Sequence, residues 1–120
     1  MAPDRHRPQL EIAHAEHEGV RIVELAGELD VDSVDELEVA LGAASADAGA
    51  RVCLDMSRLA FIDSTGLAAV IRAHITVVED GGLFVVVAGP GAVRRTLETT
   101  GLVEMLSVVD AREAALEDLT

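Results

Sequence analysis

LDMSRLAFIDSTGLAAVI, residues Leu54 to Ile71, changes its periodicity partway along. Its first part completes Val52-Cys53-Leu54-Asp55-Met56, a short and nearly all-apolar run of the kind that forms a strand covered on both faces. A polar joint follows, Asp63-Ser64-Thr65-Gly66. From Ser64 or Thr65 onward the apolar residues recur at helical spacing, with Leu67, Val70, Ile71, His74, Ile75 and Val78 on one stripe. A buried strand handing over to an amphipathic helix is the core of a βαβ unit, and the joint between them places a serine where the helix begins.

Working outward, the same alternation of periods repeats. Upstream, Leu10 and Ile12 alternate with polar neighbours, Glu18-Gly19 marks a turn, and Val20 to Ala26 forms a second β run, which together predict a hairpin. Gly27-Glu28-Leu29-Asp30 leaves that strand for a helix from about Asp32, where Ser33 and Glu36 have the spacing of a capping box and Val34, Leu37 and Leu41 the spacing of a buried face. The stretch from Gly42 to Gly49 is weakly specified. Downstream, Gly81-Gly82 ends the helix and Leu83 to Ala88 is the clearest buried strand. Gly89-Pro90-Gly91 then opens a helix with Val93 and Leu97 facing inward and Gly101 as its C-terminal cap. Met105 to Val109 is a short apolar run, and Asp110 and Glu113 repeat the capping-box spacing before a last helix carrying Leu116 and Leu119. The expected fold class is α/β: a small mixed sheet, made of the opening hairpin and then βαβ units, with helices packed on it. Residues 1–9, with two prolines and alternating charges, read as a flexible tail ahead of a single domain over 10–120.

Composition narrows the function. A chain of 120 residues closes one hydrophobic core, and with only two aromatic residues, Phe61 and Phe84, that core is built from Val, Leu, Ile and Ala. A net charge of −13 and nine arginines without a single lysine argue against nucleic-acid binding, which needs clustered basic side chains. Cys53 is the only cysteine, so no internal disulfide forms. The N-terminus lacks the apolar core of a secretory signal and no run is long enough to span a bilayer, so a soluble cytoplasmic protein is expected.

Catalytic readings fit poorly. A nucleophile elbow needs G-x-S-x-G, whereas Ile62 stands two residues before Ser64, and no histidine is placed as its base. His14 and His17 on one strand point to opposite faces and cannot share a metal ion, and His74 on an apolar helical face reads as a core-edge residue. GPGAVR after the buried strand is a partial dinucleotide fingerprint, with Arg94 in place of the third glycine. No catalytic residue, metal site or cofactor is therefore expected. Ser64 has an ordinary role as helix N-cap. It would also be an exposed hydroxyl held by rigid elements at the positive end of a helix dipole, where a phosphoryl group is tolerated. Such a group adds roughly −1.5 to −2 charges, which suits a binding switch better than a catalyst.

At these residues a resemblance enters. Leu54 to Leu67, with D-S-T-G-L at its centre, resembles the phosphorylation segment of the bacterial anti-sigma factor antagonists of the STAS domain family. Ala26-Gly-Glu-Leu-Asp30 resembles that family's loop after the second strand, and Gly89-Pro90 and Thr100-Gly101-Leu102 fall where it has turns. The resemblance implies that the unphosphorylated chain binds an anti-sigma factor that is also a serine kinase with a histidine-kinase-like ATPase fold, freeing a sigma factor. Phosphorylation of Ser64 then releases the partner, and a metal-dependent serine phosphatase resets the cycle. It implies no enzymatic activity in the chain itself. By position it makes Ser64 the phosphoacceptor and assigns Asp30, Asp63, Ser64, Thr65, Gly66, Gly89 and Pro90 to the partner-binding surface. Gly66 would permit close approach of the kinase backbone, or equally relieve crowding in the first helical turn. Alternative readings are a STAS subunit of a larger stress-signalling or lipid-transport complex, and a nucleotide- or anion-binding module using the helix starts near Ser64 and Gly91.

Overall fold

The computed structural model describes residues 9–120, so the expected tail falls, apart from Gln9, outside the described residues. The hairpin consists of β1 (Leu10–His17) and β2 (Val20–Leu29), paired antiparallel about the Glu18-Gly19 turn. There follow α1 (Val34–Ala44), β3 (Arg51–Ile62), α2 (Ser64–Glu79), β4 (Leu83–Val87), α3 (Ala92–Thr99), α4 (Leu102–Met105), β5 (Ser107–Val109) and α5 (Arg112–Leu119). The strands lie in the order β1-β2-β3-β4-β5, with every pair after the hairpin parallel. This is the expected mixed sheet. Among the described residues, no helix is long and apolar enough to cross a membrane.

Because the sheet grows in one direction, its right-handed crossovers place their helices on the same face. The larger core lies there, with Val23, Leu25, Leu29, Val52, Leu54, Met56, Phe84 and Val86 of the sheet packed against Leu37 and Leu41 of α1, Leu67 and Val70 of α2, and Val93 and Leu97 of α3. On the opposite face Val20, Ile22, Cys53, Val85 and Val87 meet Ala115 and Leu119 of α5. His14 and His17 sit opposite Val23 and Val20, residues of different faces, so the two histidines point apart as expected. His74 lies edge-on to Phe84, ring centroids 5.8 Å apart, at the border of the core.

Several local expectations are corrected. Strand β3 runs on past Met56 to Ile62, with register irregularities against β2 between Glu24 and Ala26 and between Gly27 and Glu28. These bulges bend the strand and let exposed Ser57, Arg58, Ala60 and Phe61 interrupt its apolar pattern. Neither capping box forms. The Ser33 hydroxyl donates back to Glu28 O at 2.9 Å and accepts from Asp30 N, which fastens the β2–α1 loop. Helix α5 starts after Ala111 without a side-chain cap, and Asp110 accepts from Arg94 instead. Helix α2 turns Gly66, Leu67, Ala69, Val70 and Val77 inward, so Ile75 and Val78, expected on the core stripe, are exposed. Gly101, in the left-handed region at φ 76°, follows α3 as expected, and α4 was not expected.

Candidate functional site

The loops that leave the C-terminal ends of the parallel strands share one edge of the sheet, the edge at which open α/β sheets gather their sites. Leu29 of β2 pairs with Ile62 of β3, the last residues of their strands, and Asp63 N donates to Leu29 O at 3.1 Å. Asp30 and the joint Asp63-Ser64-Thr65-Gly66 are thereby held side by side. Asp30 itself is pinned: its Oδ1 accepts from Asp32 N at 2.9 Å and its Oδ2 from Gln9 Nε2 at 2.6 Å.

Asp63, in extended conformation, is the N-cap of α2. Its Oδ1 accepts the Gly66 N–H at 2.9 Å and its carbonyl accepts from Leu67 N. The cap that could have fallen to Ser64 belongs to its neighbour. Ser64 is the first helical residue, exposed, and its hydroxyl makes no hydrogen bond among the described residues. The N–H groups of Ser64 and Thr65 sit in the first turn, where the helix offers no carbonyl partner. They and the dipole favour a negative group at that place.

Gly66 is buried. A methyl group on it would lie 2.7 Å from Leu29 Cγ and 3.0 Å from Ile62 Cγ1. Relief of crowding is the reading that fits, because the residue faces its own sheet rather than an approaching backbone. Only glycine lets the first turn of α2 settle onto the ends of β2 and β3, and this sets the height at which Ser64 emerges.

Gly89 and Pro90 stand apart from this group. Pairing of β4 with β3 ends at Val87 opposite Asp55, well short of Ile62. The turn therefore leaves the sheet one strand over and lower than Ser64. Arg94 holds it, donating to Ala88 O at 2.9 Å and to Asp110 Oδ1 at 2.8 Å.

The opposite face carries a charged cluster that the sequence reading passed over. Asp55, 3% exposed, accepts from Arg112 Nε at 2.9 Å and from the Ser57 hydroxyl at 2.6 Å, while Arg112 also reaches Glu24 at 2.9 Å. Burial works against the Arg112 charge, but the hydrogen bond and charge of Asp55, with Glu24, outweigh it and raise its pKa. The adjacent Cys53 thiol is pushed up to about 11 by burial first and the Asp55 charge second, with Arg112 pulling the other way. This cluster fastens α5 to β2 and β3. A single acidic residue inside the apolar run Val52 to Met56 was the signal for it.

Comparison with known proteins agrees with this architecture. Residues 11–115 match the STAS domain family. An anti-sigma F factor antagonist of Paenibacillus polymyxa is 30% identical over 112 residues, spanning 92% of this chain and 94% of that protein. An anti-sigma-F factor antagonist of Mycobacterium tuberculosis is 31% identical over 101 residues, 84% of this chain and 79% of that protein. A crystal structure of an anti-sigma factor antagonist from Mycobacterium paratuberculosis superposes with a TM-score of 0.85 at 30% identity, covering 98% of this chain and 97% of that one. With its hairpin-led sheet and its serine at the first turn of α2, the chain belongs to the STAS domain family.

Proposed function

We propose that the chain is an anti-sigma factor antagonist whose binding is switched off by phosphorylation of Ser64. One observation carries the reading: Asp63 caps α2, so the Ser64 hydroxyl is exposed and free of structural duty at the helix start. A hydroxyl so placed can be modified without disturbing the fold. The names borne by the similar proteins supply the class of partner.

In this reading the unphosphorylated chain acts in the cytoplasm. It docks on a serine-kinase anti-sigma factor through Asp30, Asp63, Ser64 and Thr65, with Gly66 setting the height of the joint and Gly89 and Pro90 on the flank. Docking releases a sigma factor. The kinase, not this chain, supplies the catalysis and the ATP. Transfer of the terminal phosphoryl group to Ser64 Oγ leaves a phosphoserine beside the phosphates of ADP. It also sits next to Asp63 in the chain, on the joint that lies beside the Asp30 loop, so like charges crowd a contact that must be desolvated. The folded chain tolerates the new charge through its helix start, but the complex does not. A serine phosphatase restores the binding form.

The test uses the serine-kinase anti-sigma factors of the same genome, each purified and mixed with the chain in the presence of ATP. Ser64→Ala is expected to form a complex that ATP does not dissolve, and Ser64→Asp to bind at least about tenfold more weakly. Equal binding of wild type, Ser64→Ala and Ser64→Asp under ATP would overturn the reading.

A further inference from the structure

Helix α2 carries more apolar surface than its own core takes up. Ser64, Ala68, Ile71, Ile75 and Val78 follow one another at spacings of four, three, four and three residues. At 3.6 residues per turn these positions form one stripe, on the side of the helix away from Gly66, Ala69, Val70 and Val77, which face the sheet, with buried Leu67 at the border between the two faces. Ser64 is exposed, Ala68 and Ile71 are half-buried, and Ile75 and Val78 are 42% and 48% exposed. Alternating four- and three-residue spacing is the pattern of a helix seam that receives another helix. The seam runs about 21 Å from Ser64 to Val78 at 1.5 Å per residue.

Resting on the reading of Ser64 as the switch, we propose that the partner lays an amphipathic helix along this seam. Ser64 is then the first position of a helix–helix interface rather than an isolated acceptor. Charge says what kind of helix fits. The far end of the seam is acidic: Glu79 and Asp80 are exposed, the last turn of α2 holds no basic residue, and the helix dipole adds negative charge there. The occupant therefore presents apolar residues at matching spacing and Lys or Arg where it passes Glu79 and Asp80. A second copy of this chain fits badly, because it brings a net charge of −13 against a chain of the same charge. A single strip of this length also falls short of the roughly 800 Å² per partner that a stable interface buries. The seam needs the joint at Ser64 to complete it, and a partner that works on Ser64 engages both. Phosphorylation adds to this a charge that must lose water for the helix to lie down at the seam's head.

The test uses the purified anti-sigma factor that wild type binds, with ADP present. Ile75→Ser combined with Val78→Ser is expected to weaken binding at least about tenfold, since truncating a few buried apolar anchors removes most of an interface's affinity. Val39→Ser on α1, at a side chain 74% exposed, serves as the control and leaves binding unchanged. Both variants alter surface positions, and thermal melts verify their folding. A photocrosslinker at position 75 then joins the chain to a helix of the anti-sigma factor. Binding of the Ile75/Val78 variant within about twofold of wild type overturns the seam while leaving the Ser64 switch standing. A crosslink to a second copy overturns the choice of occupant. If wild type binds none of the anti-sigma factors, the switch reading fails first and the seam falls with it.

Discussion

The Asp63 carboxylate accepts the Gly66 N–H at 2.9 Å, and this one bond gives the helix cap to Asp63 and leaves the Ser64 hydroxyl without that duty. The aspartate holds the helix start together and the serine beside it is spare. Stability and switching should therefore divide between the two residues. Asp63→Ala is expected to lower unfolding stability by about 1 kcal/mol, the usual loss of an N-cap. Ser64→Ala should stay within about 0.5 kcal/mol of wild type. Urea denaturation of both variants measures the division, and a larger loss at Ser64 would assign the cap to the wrong residue.

Gly66→Ala should destabilise the chain although alanine is the better helix former. The added methyl meets Leu29 Cγ at 2.7 Å, and lifting α2 off the sheet to relieve it is expected to cost about 1–3 kcal/mol. The same denaturation series reads the effect. A gain in stability would mean that the helix can shift freely at that contact.

Arg112→Ala removes the partner of a buried carboxylate, Asp55, and loosens α5 from the sheet. The Ser57 bonds to Asp55 remain and the arginine side chain is partly exposed, so the expected loss is about 1–3 kcal/mol, below that of a fully buried pair. Amide hydrogen exchange should show α5 losing protection before the central strands.

Alkaline stability isolates Cys53. Its thiol is raised from 9.0 to about 11, so between those values the folded chain keeps a proton that the unfolded chain gives up. The thiol's contribution to stability is fully present below pH 9 and is lost as pH rises toward 11, by roughly 2–3 kcal/mol in all. The chain has no lysine and no tyrosine, so no other side chain is expected to titrate strongly in that window. Cys53→Ala should flatten the decline. An unchanged slope in the variant would show that the thiol is not its source.

Much of this architecture was legible from residue order. The hairpin, the βαβ alternation and the strand from Leu83 follow from periodicity and turn residues, and the motif around Ser64 pointed to the joint. What escaped was decided by contacts between distant residues. Ser33 and Glu36 have the right spacing for a box, yet the Ser33 hydroxyl finds Glu28 O, which spacing does not reveal. Asp63 and Ser64 are both good caps, and the choice between them depends on how the chain leaves β3 beside Leu29. The length of β3 was hidden because its bulged end has exposed residues among the buried ones. The seam of α2 was hidden in the opposite sense: Ile71, Ile75 and Val78 have the periodicity of a core face, and only the packing shows that the core takes its neighbours instead.

The most direct measurement incubates the chain with ATP and the serine-kinase anti-sigma factor it binds, then maps the modified peptide by mass spectrometry. A single phosphoryl group on Ser64, absent from Ser64→Ala and accompanied by loss of the complex, is the predicted result. Phosphate on Thr65 or elsewhere with Ser64 unmodified, or a complex that persists after Ser64 is fully phosphorylated, would contradict it.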